Sequence, residues 1–102
     1  TIAVFLGERL LQAGYTREAE ARADRFALAM LNAAGVDSAG MARFFDHLHE
    51  MEGDMPQLPD YFATHPASEA RAERARENAE RQGATSAVLT DAQWQALQGI
   101  CD

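Results

Sequence analysis

Ala19, Ala23, Phe26, Ala27, Met30, Leu31 and Ala34 recur at helical spacing and stop at Gly35. No alternation of period two runs through this stretch, so it can only be an amphipathic helix with a glycine beyond its end. Thr16 is a suitable N-cap, and Glu18 falls in the first turn, where the helix dipole favours an acid. After the short link Gly35-Val36-Asp37 comes a second stripe, Met41, Phe44, Phe45, Leu48 and Met51, with Asp37 as N-cap and an end before Gly53. A link that short turns the chain back on itself, which predicts an antiparallel helical hairpin.

The remaining segments extend the same picture. Thr1 to Ala13 is apolar on most sides and is predicted to be a separate short helix stopped by Gly14, which continues or packs against something. Gly53 to His65 contains Pro56 and Pro59, with Pro66 just after, and reads as a loop. It also carries Leu58, Tyr61 and Phe62, too apolar for a free linker, and long loops of that kind are often functional. From about Pro66 to Gln82 a further helix is expected, with proline in its first turn and Gly83 past its end. Its charges alternate around alanines, the pattern of a solvated helix held by i, i+4 pairs. Thr90 and Gln93 fit a capping box, and Trp94, Leu97 and Ile100 or Cys101 predict a short final helix docked by Trp94. The fold class is therefore all-α: the hairpin, a long apolar loop and two further helices.

A chain of 102 residues, 47% hydrophobic and 25% charged, supports one domain with one modest core. The formal net charge of −7 argues against a nucleic-acid partner, because phosphate binding needs a basic surface. A lone cysteine, Cys101, excludes an internal disulfide; with no histidine near it in sequence it reads as a packing residue. The apolar run Ile2 to Leu6 is far short of the roughly 20 residues a membrane span needs, and it lacks the flanks of a secretory signal. The first residue is Thr1, not methionine, and we read the chain as a piece of a longer protein.

Two carboxylates break the pattern of the main helix. At about 100° per residue, with Glu20 set to zero, Asp24 falls near +40°, Ala27 near −20° and Leu31 near +20°. Both acids thus share a stripe with core residues, while Arg22, Arg25 and Glu18 lie opposite. Burying an ionised carboxylate costs several kcal/mol (on the order of 3–5) unless something compensates. One compensation is Arg17, a turn before both acids and placed to pair with either. The other is a metal, with Glu20 as ligand and Asp24 holding a second ligand in place. His47 and His49 lie on different faces of their helix and cannot readily chelate one ion. His65 sits at the end of the apolar loop with Arg71 six residues on, and both a capping role and a site role remain open for it.

The strings YTREAEARADRFAL, AAGVDSAGMARFFDHL and THPASEAR, in this order, resemble the zinc metallopeptidases related to the HtpX heat-shock protease, the BepA envelope protease and the CAAX prenyl endopeptidase. The resemblance covers about Gly14 to Arg74. The closing Trp94, Leu97, Ile100 and Cys101 are similar to the end of many bacterial members. It implies that Glu20 supplies the third protein ligand to zinc, after two histidines of an H-E-x-x-H helix. It implies that Asp24 supports a ligating histidine, that His65 lies over the active site and contacts substrate or zinc, and that Arg71 orients the site. The chemistry implied is attack of a zinc-activated water on a peptide carbonyl, with the H-E-x-x-H glutamate as general base.

This chain departs from the pattern in one respect: it contains no H-E-x-x-H. The resemblance places that helix upstream, so residues 1–102 are expected to be one helical half-domain, the C-terminal part of a peptidase domain, and inactive alone. Its expected partners are the upstream half of its own domain and, in the parent, a protein or peptide substrate. Loss of the covering half also predicts an exposed apolar patch and a homodimer or domain swap. The parent is expected in the bacterial membrane or envelope, with this piece itself soluble. The rival reading is a non-catalytic helical module that docks a partner helix.

Overall fold

The computed structural model describes residues 1–54 and 69–101, with the backbone alone at 12, 13, 15 and 52–54. The described residues form four helices and no strand: α1 (Ile2–Ala34), α2 (Ala39–Asp54), α3 (Glu69–Arg81) and α4 (Asp91–Gln98), followed by a 3-10 turn, Gly99–Cys101. The all-α expectation holds. The apolar loop, with Leu58, Tyr61, Phe62 and His65, lies outside the described residues.

The expected break at Gly14 does not occur. One helix of 33 residues runs through it, capped at Thr1, whose Oγ1 accepts from the Val4 N–H at 3.2 Å. Thr16 is therefore inside the helix, not at its start. An interior glycine costs a helix only about 1 kcal/mol relative to alanine. The neighbours Leu10, Leu11, Glu18 and Ala19 are strong helix formers, and no proline lies between Leu10 and Ala23. At the other end the expected stop is made. Gly35 adopts φ 68°, ψ 32°, its N–H donates to Asn32 O, and the Val36 N–H donates to Leu31 O at 2.9 Å. Glycine enters this left-handed region without the steric penalty a Cβ brings.

The contacts fix the directions of the helices. Ser38 at the start of α2 meets Ala75 and Asn78 late in α3, while His49 faces Glu69 at the beginning of α3, so α2 and α3 are antiparallel. On α1, Asp24 meets Arg71 and Asn32 meets Asn78, so α1 and α3 run the same way. The order is up, down, up, with α3 packed mainly on α2 and also against α1.

Among the described residues the buried apolar ones are Ala42 and Phe45 of α2 and Ala72 and Ala75 of α3. Ala72 and Ala75, set between the charges of α3, are thus core residues that let α2 approach closely. On α1 the buried residue is Asp24, and Phe26 and Met30 of the apolar stripe stand 70% and 58% exposed. The molecule is 16 Å across its thinnest dimension, one layer of helices. It exposes 7737 Å², where a folded chain of 11.2 kDa exposes about 5,700 Å².

The capping box of α4 forms as expected: the Gln93 N–H donates to Thr90 Oγ1, and the Thr90 N–H donates to Gln93 Oε1. The expected docking by Trp94 does not. Trp94 is 52% exposed, and Leu97 and Ile100 are exposed beside it. Among the described elements α4 makes substantial contact only with its own 3-10 extension.

Candidate functional site

Glu20 and Asp24 point into the molecule, as their place on the helical wheel requires. Asp24 is 4% exposed, and Glu20, Ala27 and Leu31 are half-buried on the same stripe. The compensating cation is not Arg17, which is exposed, but Arg71, 47 and 51 residues further along the chain. Its guanidinium grips Asp24 in a two-pronged fork, Nε to Oδ2 at 2.7 Å and Nη2 to Oδ1 at 2.8 Å. The same Nη2 donates to Glu20 Oε2 at 3.1 Å. Fork-to-carboxylate pairs are among the stronger protein hydrogen bonds because both partners are charged and both are planar.

Helices α1 and α3 position this cluster, and α2 supports it from behind. The Phe45 ring, itself buried, lies 4.3 Å from the guanidinium carbon of Arg71. A cation on the face of an aromatic ring is attracted by the ring quadrupole, and the flat guanidinium is held in one plane. Burial alone would pull the Arg71 guanidinium below its ordinary range; the hydrogen bonds and charge of Asp24, joined by those of Glu20, more than offset it and raise it above. One turn on, Arg74 Nη2 lies 3.5 Å from Asp24 Oδ2, while Arg74 Nε is buried with no acceptor.

The other candidates lie apart. His47 and His49 are exposed on α2, with His49 Nε2 3.7 Å from Glu69. Cys101 is exposed on the final turn. His65 is outside the described residues. Among the described residues no group of three histidine, cysteine or carboxylate side chains lies close enough to hold a metal ion. The chemistry of the donors agrees: both oxygens of Asp24 and one of Glu20 accept from Arg71, and a structural or catalytic zinc needs three or four protein ligands. The described residues do not by themselves make a zinc site.

A second cluster had no signal in the sequence. Asn32 and Asn78 exchange two side-chain hydrogen bonds of 2.9 Å, and Gln82 Nε2 adds a bond to Asn32 Oδ1 and another to Val36 O. Asn78 also donates to the buried Ser38 Oγ, which donates in turn to Ala75 O at 2.8 Å. Arg71 and Asn78, seven residues apart, lie on one side of α3, with Gln82 just past its end.

With the acid pair and its arginine described, comparison with known proteins identifies the family. The chain belongs to peptidase family M48, whose profile matches residues 1–79. It is 40% identical over 68 residues to a Vibrio cholerae protein named as a beta-barrel assembly-enhancing protease, covering 67% of this chain and 14% of that protein. It is 32% identical over 78 residues to metalloprotease LoiP of Escherichia coli, covering 76% of this chain and 30% of that protein. The chain thus spans less than a third of the length of either relative. No solved structure matches it significantly. Among the described residues no helix is long and apolar enough to cross a membrane.

Proposed function

We propose that this chain is the C-terminal helical part of the catalytic domain of a zinc metalloendopeptidase, acting on protein or peptide substrates in the bacterial envelope. The observation that carries the reading is the acid pair one turn apart on the inward side of α1, gathered by Arg71 within an M48 chain. In this reading Glu20 supplies one carboxylate oxygen to zinc, and two histidines of an upstream H-E-x-x-H helix supply the rest. Bound zinc activates water and polarises the scissile carbonyl. Asp24, held in the fork of Arg71, orients the wall of the site, and His65 reaches substrate or metal from the loop.

The open surface supports a missing half. A single layer exposing about 2,000 Å² more than a folded chain of its mass leaves the apolar sides of α1 and α4 without cover. The isolated chain, lacking two ligands and the general base, is inactive in this reading.

The test is made on the full-length parent. An H-E-x-x-H within several tens of residues upstream of Thr1 is expected, and Glu20→Gln is expected to abolish zinc retention and proteolysis while Arg22→Gln changes neither. An upstream sequence without that motif, or wild-type activity in Glu20→Gln, overturns the reading. The latter result would leave the exposed apolar sides to the rival function, a helical docking module.

A further inference from the structure

We infer that Asn32, Asn78 and Gln82 are positioning residues for Arg71: they fix how far α3 slides along α1, and so bring the guanidinium fork into register with Asp24.

The inference starts from what does not hold α1 to α3. The buried apolar residues belong to α2 and α3, and α1 contributes only Asp24 to the buried set among the described residues. Of the large apolar side chains on the α1 stripe, Phe26 and Met30 are exposed and Leu31 is only half-buried, so none is a fully buried knob against α3. Ridge-and-groove packing, which sets helix register elsewhere, is therefore weak at this interface.

Two polar contacts take its place. At one end Arg71 grips Asp24 and Glu20; at the other Asn78 and Gln82 grip Asn32. Asn78 is seven residues beyond Arg71 on α3, and Asn32 is eight beyond Asp24 on α1. In parallel helices these spans match within one residue, about 1.5 Å of rise. The amide end is anchored independently of the acid end, through Gln82 Nε2 to Val36 O, Gln82 Oε1 to the Ser38 N–H and Asn78 to Ser38 Oγ. All three tie α3 to the rigid turn that closes on Gly35. A slide of a single residue would carry Arg71 far enough to open a fork whose bonds are 2.7 and 2.8 Å long. The amides are half-buried or exposed, so their bonds compete with water and add little stability. What they supply is register.

The test uses the nitrogen-15-labelled chain and follows the Arg71 Nε–H signal by NMR. In the wild type this proton is expected to be shifted from the free-arginine position and slow to exchange with water. Asn78→Ala, or Asn32→Ala, is expected to move the signal toward the free position and speed exchange by at least about tenfold, with helix content retained. Asn32→Ala leaves the Asn78–Ser38 bond in place and keeps the test open should Asn78→Ala fail to fold. Asp46→Ala removes the 2.7 Å ion pair with Arg76 on the α2 side and is expected to leave the Arg71 signal where it was. An unchanged Arg71 signal in folded Asn32→Ala overturns the inference. So does an equal change in Asp46→Ala, since that would mean general loosening. The geometry stands apart from the metal assignment: activity in full-length Glu20→Gln would remove the catalytic meaning of the register without touching these signals.

Discussion

Asp24 and Arg71 meet through both edges of a guanidinium fork, the carboxylate 5% exposed at its side chain and the arginine 11%. An acid this deeply placed in a single-layer protein is tolerated because its partner arrives with matching geometry, not merely with charge. Removing Arg71 takes away the fork and leaves the buried acid only the longer 3.5 Å contact with Arg74. Arg71→Met is therefore expected to destabilise the chain by about 3–5 kcal/mol, read from urea unfolding. Arg71→Lys is expected to recover only part of that loss, because an ammonium cannot bind both oxygens in the plane. Equal stability of the lysine variant and the wild type would show that charge alone matters.

Glu20 behaves differently. Its contact with Arg71 is a single bond of 3.1 Å, against two for Asp24, and its side chain is 20% exposed. Glu20→Gln keeps a hydrogen-bonding oxygen, and Asp24 retains the fork. A loss of about 1 kcal/mol or less is expected in thermal unfolding of this chain. A loss as large as that of Arg71→Met would make Glu20 a structural anchor, and would weaken its assignment as a residue kept for a ligand.

Gly14 inside α1 and Gly35 just past its end call for opposite outcomes. A Cβ at Gly14 meets nothing within 4 Å, so Gly14→Ala is expected to stabilise by about 1 kcal/mol. Gly35 has φ 68°, and Gly35→Ala is expected to cost about 1–2 kcal/mol. Circular dichroism melts of both variants check the pair. A destabilised Gly14→Ala would mean that α1 is broken at residue 14, as the sequence alone suggests.

The open apolar sides predict self-association of the isolated chain. Sedimentation velocity is expected to show a concentration-dependent shift above the monomer value, reduced by Phe26→Glu, whose side chain lies on the exposed side of α1. A chain that stays monomeric at high concentration, with Phe26→Glu unchanged, would show that these surfaces do not pair with one another.

How much of this was legible in the sequence follows from which forces are local. The inward turn of Glu20 and Asp24 is a matter of angle along one helix, and a wheel shows it. The stop at Gly35 and the Thr90–Gln93 box are equally local. Arg71 as the partner of both acids was hidden, because it lies 47 residues from Asp24 within a run of alternating charge that reads as solvent-facing. Arg17, nearer in sequence, was the natural expectation and proved exposed. Gly14 misled for the reverse reason: a local stop signal was overridden by the helix formers on both sides. Trp94 misled because an apolar side predicts docking, and α4 packs on none of the other described helices to any substantial extent. The amide cluster of Asn32, Asn78 and Gln82 has no periodicity or motif to announce it.

The placement of the apolar core in α2 and α3, with α1 attached through polar groups, has a consequence for how the molecule comes apart. Core amides exchange with solvent only through the costliest openings, whereas a segment tied by a few surface-accessible bonds detaches alone. Of the three helices that pack together, α1 is then the first expected to leave. Its amides should lose protection well before those of Ala42, Ala72 and Ala75, and the acid pair would come and go with it.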